Sequence, residues 1–79
     1  MNLSEIENEV IKMIHNFTSV KPEKISSSED LVKDGTIDSL TTVNLIMEIE
    51  EIFNVTVYPD EARDLITVTK IAKFIYKNL

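Results

Sequence analysis

Seventy-nine residues with 43% apolar content can form one small domain with a packed core, although only about 60% of the unfolded chain's surface can be buried at this size. The chain has no cysteine, which excludes a disulfide framework, a thiolate metal site and a cysteine nucleophile. The net charge of −6 argues against a nucleic-acid partner and for basic partner surfaces.

No apolar run is long enough to span a membrane. The N-terminus carries acids where a secretory signal has a basic region and an apolar stretch, so a cytoplasmic protein without membrane insertion is expected. Ser4-Glu5-Ile6-Glu7 reads as a capping box, with Ser4 as N-cap and Glu7 reaching back. Leu3, Ile6, Val10, Met13, Ile14 and Phe17 recur on one face and predict a first helix from about Ser4 to Asn16. His15, the only histidine, falls in its last turn. It has no cysteine or serine partner nearby in sequence and reads as a structural or surface residue.

A long connection follows from Phe17 to Asp38, broken by Pro22 and by Ser26-Ser27-Ser28. Loops of this length without structure are uncommon in small domains. Val20, Ile25, Leu31, Val32 and Ile37 are the anchors expected to pack it across the molecule, with a short helical turn beginning near Ser28-Glu29-Asp30-Leu31. Gly35 is predicted to take a positive φ and aim the chain into Ser39.

The second helix is predicted from Ser39, as N-cap, to about Asn54. At 100° per residue, Leu45, Ile46, Ile49 and Phe53 form a core face, with Ile52 and Thr42 at its margins. Leu40, Val43 and Met47 form a second apolar stripe on roughly the opposite side, flanked by Glu48, Glu50 and Glu51. A helix with one core face has polar residues there, so this stripe reads as a partner-docking surface. The plainer reading is that it is buried beneath the long loop.

Val55-Thr56-Val57-Tyr58 is β-branched but has no partner strand and reads as a linker. Pro59-Asp60-Glu61 opens a short third helix, from which Ala62, Leu65 and Ile66 can face inward. Thr67 or Thr69 caps the last helix, whose inner stripe is Val68, Ile71, Ala72, Ile75 and Leu79. Lys70, Lys73 and Lys77 fit dipole compensation there rather than a basic binding patch. The expected fold is all-α: a small four-helix bundle with three principal helices, one short helix and a long first loop, as a single domain over residues 1–79 and as a monomer.

One histidine and no cysteine leave no common transition-metal site. Asp30, Asp34 and Asp38 lack the spacing of a calcium loop, so no metal is expected. There is no glycine-rich phosphate loop, and Ser39 has no general base, so the chain does not read as an enzyme. What remains is a serine at a helix start, where a phosphodiester added by another enzyme would meet the positive end of the helix.

The run Asp34-Gly35-Thr36-Ile37-Asp38-Ser39-Leu40-Thr41-Thr42-Val43 resembles the acyl and peptidyl carrier proteins. The resemblance continues through Glu48-Ile49-Glu50-Glu51-Ile52-Phe53-Asn54-Val55, the Pro59-Asp60-Glu61 turn and Thr67-Val68, and so covers nearly the whole chain. It implies a carrier without catalytic activity that bears acyl or aminoacyl groups as thioesters on a 4′-phosphopantetheine arm. The arm would be attached at Ser39 by a magnesium-dependent phosphopantetheinyl transferase, from coenzyme A. Asp38 and Leu40 would be read by that transferase. Val43, Met47, Glu48, Glu50 and Glu51 would face a loading ligase and the downstream acyl-processing enzymes of fatty acid or specialised metabolite synthesis. Fatty-acid carriers usually have acids two and five residues after the serine; Thr41 and Asn44 stand there. The lead Asp34-Gly35-Thr36-Ile37 is more similar to stand-alone aminoacyl carriers such as the D-alanyl carriers. An aminoacyl carrier for envelope or nonribosomal pathways, an unmodified acidic interaction module and a calcium-responsive helical protein are the alternatives.

Overall fold

A computed structural model describes residues 1–79 as four α-helices: α1 (Leu3–Thr18), α2 (Ser39–Phe53), α3 (Pro59–Ala62) and α4 (Val68–Asn78), with a 3₁₀ turn at Pro22–Lys24. There is no strand, and Val55–Tyr58 is the expected linker. The predicted all-α bundle of three principal helices, one short helix and a long first loop is the observed architecture. No helix is long and apolar enough to cross a membrane.

The start of α1 differs from the expectation. Asn2, not Ser4, is the N-cap: its side-chain oxygen accepts from the Glu5 amide at 2.8 Å, and Glu5 returns a carboxylate to the Asn2 amide at 2.9 Å. Asn and Ser are equivalent caps, and the earlier start buys an extra half-turn of helix. The helix also ends later, at Thr18, where Ser19 adopts a left-handed conformation (φ 63°) and donates its amide to the His15 carbonyl. The His15 ring holds this end together, with Nδ1 donating to the Val20 carbonyl at 2.8 Å. It is thus a structural residue, as expected.

α1 packs most extensively on α4 and next on α2. Ile6, Val10, Met13 and Ile14 of α1 meet Leu45 and Ile49 of α2 and Val68, Ile71, Ala72 and Ile75 of α4 in one core. Ile25, Leu31 and Ile37 of the long loop, Val55 and Leu65 complete it. Phe17 and Leu79, predicted to face inward, lie at helix ends beyond the reach of this core and are exposed. Thr67 caps α4, accepting from the Lys70 amide at 3.0 Å. Only Lys77 lies in the last turn of α4, and all three lysines line a cleft with Glu61 and Asp64.

The long loop is held by backbone bonds to distant segments. The Leu31 amide donates to the Ile66 carbonyl at 2.8 Å, and Thr69 donates to Ser27 at 3.0 Å. The expected helical turn begins at Asp30 rather than Ser28 and does not extend into a helix. The Asp30 carboxylate caps the Val32 and Lys33 amides, and its carbonyl accepts from Asp34. Gly35 takes φ +82°, and the Ile37 amide then closes onto the Leu31 carbonyl. This places Ile37 in the core one residue before Asp38.

Glu50, expected on the docking face, also makes a structural bond. Its carboxylate accepts from the Val57 amide at 3.0 Å in a half-buried setting, tying α2 to the linker before α3. Glu50→Ala removes this acceptor, and a loss of about 1 kcal/mol is expected, read from urea unfolding midpoints at unchanged slope.

Candidate functional site

Local sequence explains how the chain enters α2. Asp38 has an extended backbone (ψ −177°) and is the N-cap, its Oδ1 accepting from the Thr41 amide at 2.7 Å. The expectation that Ser39 caps the helix is therefore corrected: Ser39 is the first helical residue. Both residues are capable caps; Asp38 takes the role because it stays extended next to Ile37, which is buried and bonded to the Leu31 carbonyl. The correction changes the chemistry, because the Ser39 hydroxyl is no longer needed to satisfy the helix. It is exposed and makes no hydrogen bond within the chain.

The Asp38 carboxyl is held below the usual aspartate pKa, first by the Thr41 amide and then by the Thr41 hydroxyl, both of which favour the ionised form. A lowered folded pKa means that stability from this group is present above the unfolded value of about 3.9. It is lost as the pH falls through the folded value. Asn caps helices as well as Asp does but does not titrate here. Asp38→Asn should therefore match the parent near neutral pH and lose stability less steeply between about pH 5 and pH 2, as measured by urea unfolding across that range.

Along α2 the second apolar stripe faces solvent. Leu40 is 71% exposed, Val43 53% and Met47 60%. The alternative, burial under the long loop, is overturned because that loop packs on the α3–α4 side through Ile66 and Thr69. Glu51 is exposed and Glu48 half-buried beside the stripe. Leu45 and Ile49 are the buried face, with Ile46 and Phe53 partly covered. Ile52 was placed at the core margin but is 54% exposed. It lines a groove between α1 and α2 with Met13 and Phe17, a feature that the wheel of α2 alone cannot reveal.

The three aspartates before α2 are occupied by the backbone. Asp30 and Asp38 cap turns, and Asp34 Oδ1 accepts from the Thr36 amide at 2.9 Å. No group of three or more acidic, histidine or cysteine side chains is placed to hold a metal ion. The structure thus does not favour the calcium-responsive alternative. A phosphate ester suits the start of α2: Ser39 is exposed and lies at the positive end of the helix.

A sequence-family profile described as "Phosphopantetheine attachment site" matches residues 8–75. Acyl carrier proteins from Rhodopseudomonas palustris (strain TIE-1) and Nitrobacter winogradskyi are each 38% identical to this chain over 76 residues, covering 96% of both partners. A solution structure from Anaplasma phagocytophilum, provisionally named an acyl carrier protein, superposes with a TM-score of 0.86 at 31% identity. That alignment covers 98% of this chain and 91% of the other. The acyl carrier protein of Enterococcus faecalis shares the fold, with a TM-score of 0.83 over 100% of both chains at 22% identity. Profile, relatives and fold agree with the arrangement around α2, and the chain belongs to the phosphopantetheine-binding acyl carrier protein family.

Proposed function

We propose that Ser39 is the attachment point of the covalent 4′-phosphopantetheine that family membership implies. The whole chain then acts as one carrier domain, presenting acyl thioesters to a succession of enzymes. The single observation that carries the reading is the exposed, unbonded Ser39 hydroxyl at the start of α2, beside an exposed apolar stripe. In the loading step, Ser39 Oγ bonds to the β-phosphorus of coenzyme A. The pyrophosphate bond breaks, adenosine 3′,5′-bisphosphate leaves, and a base of the transferase takes the serine proton. The attached arm supplies a thiol, on which cargo is held as a thioester.

The chain contributes no catalytic group of its own. His15, the only histidine, is committed to the Val20 carbonyl, and the Asp38 carboxylate is taken up in capping α2. Asp38 and Leu40 flank the serine and are read by the transferase, while Val43, Met47, Glu48 and Glu51 face the partner enzymes. Glu50 contributes charge to that face rather than a free carboxylate, since it is bonded to Val57. The names of the relatives support acyl over aminoacyl cargo.

Intact-mass analysis after incubation with coenzyme A, magnesium and a broad-specificity phosphopantetheinyl transferase tests this reading. The expected result is a gain of one phosphopantetheine, mapped to Ser39 by peptide fragmentation. No gain with several transferases would overturn it.

A further inference from the structure

The groove between α1 and α2 is, apart from Glu48 on its rim, a feature that the carrier reading does not use. It encloses about 360 Å³ and is lined by Met13, Phe17 and Ile52, with Glu9, Lys12, Asn16 and Glu48 around them. Phe17, 40% exposed, and Ile52 come from different helices yet converge on this one space. Core packing does not explain them, because neither belongs to the buried cluster.

Two observations say what fits there. The first is charge. Lys12 Nζ lies 3.5 Å from Glu9 Oε1, so these two rim charges offset one another. Glu48 is then the uncompensated charge at the groove, and it calls for a cation. The second is continuity. Glu48 adjoins Met47 in sequence and stands one turn before Ile52, so it borders both the solvent-facing stripe and the groove. The first turn of α2 carries no acid, and Asp38 is occupied as a cap. The nearest free carboxylates on α2 are therefore Glu48 and Glu51, roughly 13–18 Å from Ser39 at 1.5 Å per residue.

Resting on the carrier reading above, we propose that the transferase grips this chain in two places. Near Ser39 the contact is apolar, on Leu40, Val43 and Met47. At the far end of α2 an apolar side chain of the transferase, next to a Lys or Arg, enters the groove between Phe17 and Ile52 and pairs with Glu48. The docking surface thus turns the corner of α2 onto α1, and its electrostatic part lies away from the serine.

Steady-state loading of Ser39 by a broad-specificity phosphopantetheinyl transferase tests the proposal, with the chain as the varied substrate. Ile52→Gln and Phe17→Ser should each raise KM about fivefold, with kcat within twofold of the parent. Glu48→Gln should raise KM and reduce its dependence on salt. Melting curves check that each variant folds. Amide shifts in ¹⁵N-labelled parent titrated with the transferase give a readout without substitution. Perturbation at Met13, Phe17 and Ile52 supports the groove. Shifts confined to residues 38–47, or unchanged KM in both groove variants, would overturn it. A parent chain that is not loaded at all defeats the carrier reading instead, so the two failures are distinguishable.

Discussion

Ser39→Ala will remain entirely unmodified under conditions that load the parent to completion. The chain has other exposed serines, and Ser4 makes the sharpest comparison because it too lies in the first turn of a helix. Exposure at a helix start is thus common to both. Ser39 differs in its neighbours: a capping Asp38 on one side, and on the other Leu40 opening an exposed apolar stripe. In the proposed function that stripe lets a partner enzyme bring the hydroxyl to the reacting phosphorus. The substitution leaves the fold intact, because the hydroxyl makes no hydrogen bond and alanine is the better helix former. The melting curve should therefore match the parent or lie slightly above it while the mass gain disappears. A phosphopantetheine appearing on the variant, at Ser4 or elsewhere, would reject the assignment.

Ile49→Ala will destabilise the chain by about 2–5 kcal/mol, a large part of the 5–15 kcal/mol typical of a whole domain. Ile49 is fully buried in the core where α2 packs on α1, and truncation leaves a cavity that the surrounding helices only partly close. In a domain of this size the loss corresponds to a fall of roughly 8–40 °C in melting temperature. Met47→Ala, two residues away on the exposed stripe, should change stability by no more than about 0.5 kcal/mol. The pair tests the two-faced reading of α2 directly: similar costs for both would mean that the helix is rotated from the orientation described. Loading by the transferase should show the reverse ranking under conditions where the Ile49 variant is still folded.

The opposite natures of Met47 and Ile49 were legible from the sequence because a helix turns 100° per residue and neighbouring residues two apart point to different sides. The same local rule located α4, whose Thr67 cap and inner stripe to Ile75 were found as expected. Gly35 was legible for a different reason: a turn needing positive φ selects the residue without a β-carbon. Ser39 and its flanking residues were singled out by their motif and by the second apolar stripe, both properties of a contiguous segment, and the stripe is exposed as expected.

Other features depended on competition between residues that are locally equivalent. Asn2 and Ser4, or Asp38 and Ser39, are all good caps, and side-chain type alone does not rank them. The choice was made by which residue could stay extended while the helix behind it packed. At Asp38 that position is set by Ile37, pinned in the core by the closure of its amide onto Leu31. Glu50 looked like a free docking acid because its partner, the Val57 amide, belongs to a linker with no pattern of its own.

What the amino-acid sequence determined by itself was the set of helices, the side of each that is apolar and the serine at the start of α2, because these follow from backbone geometry over a few consecutive residues. Tertiary structure alone decided the path of the long loop, through Leu31–Ile66 and Ser27–Thr69, and the exposure of Phe17 and Ile52 in a shared groove. Those outcomes depend on which distant segments arrive side by side, and in a domain this small the core is too short to cover the ends of every helix.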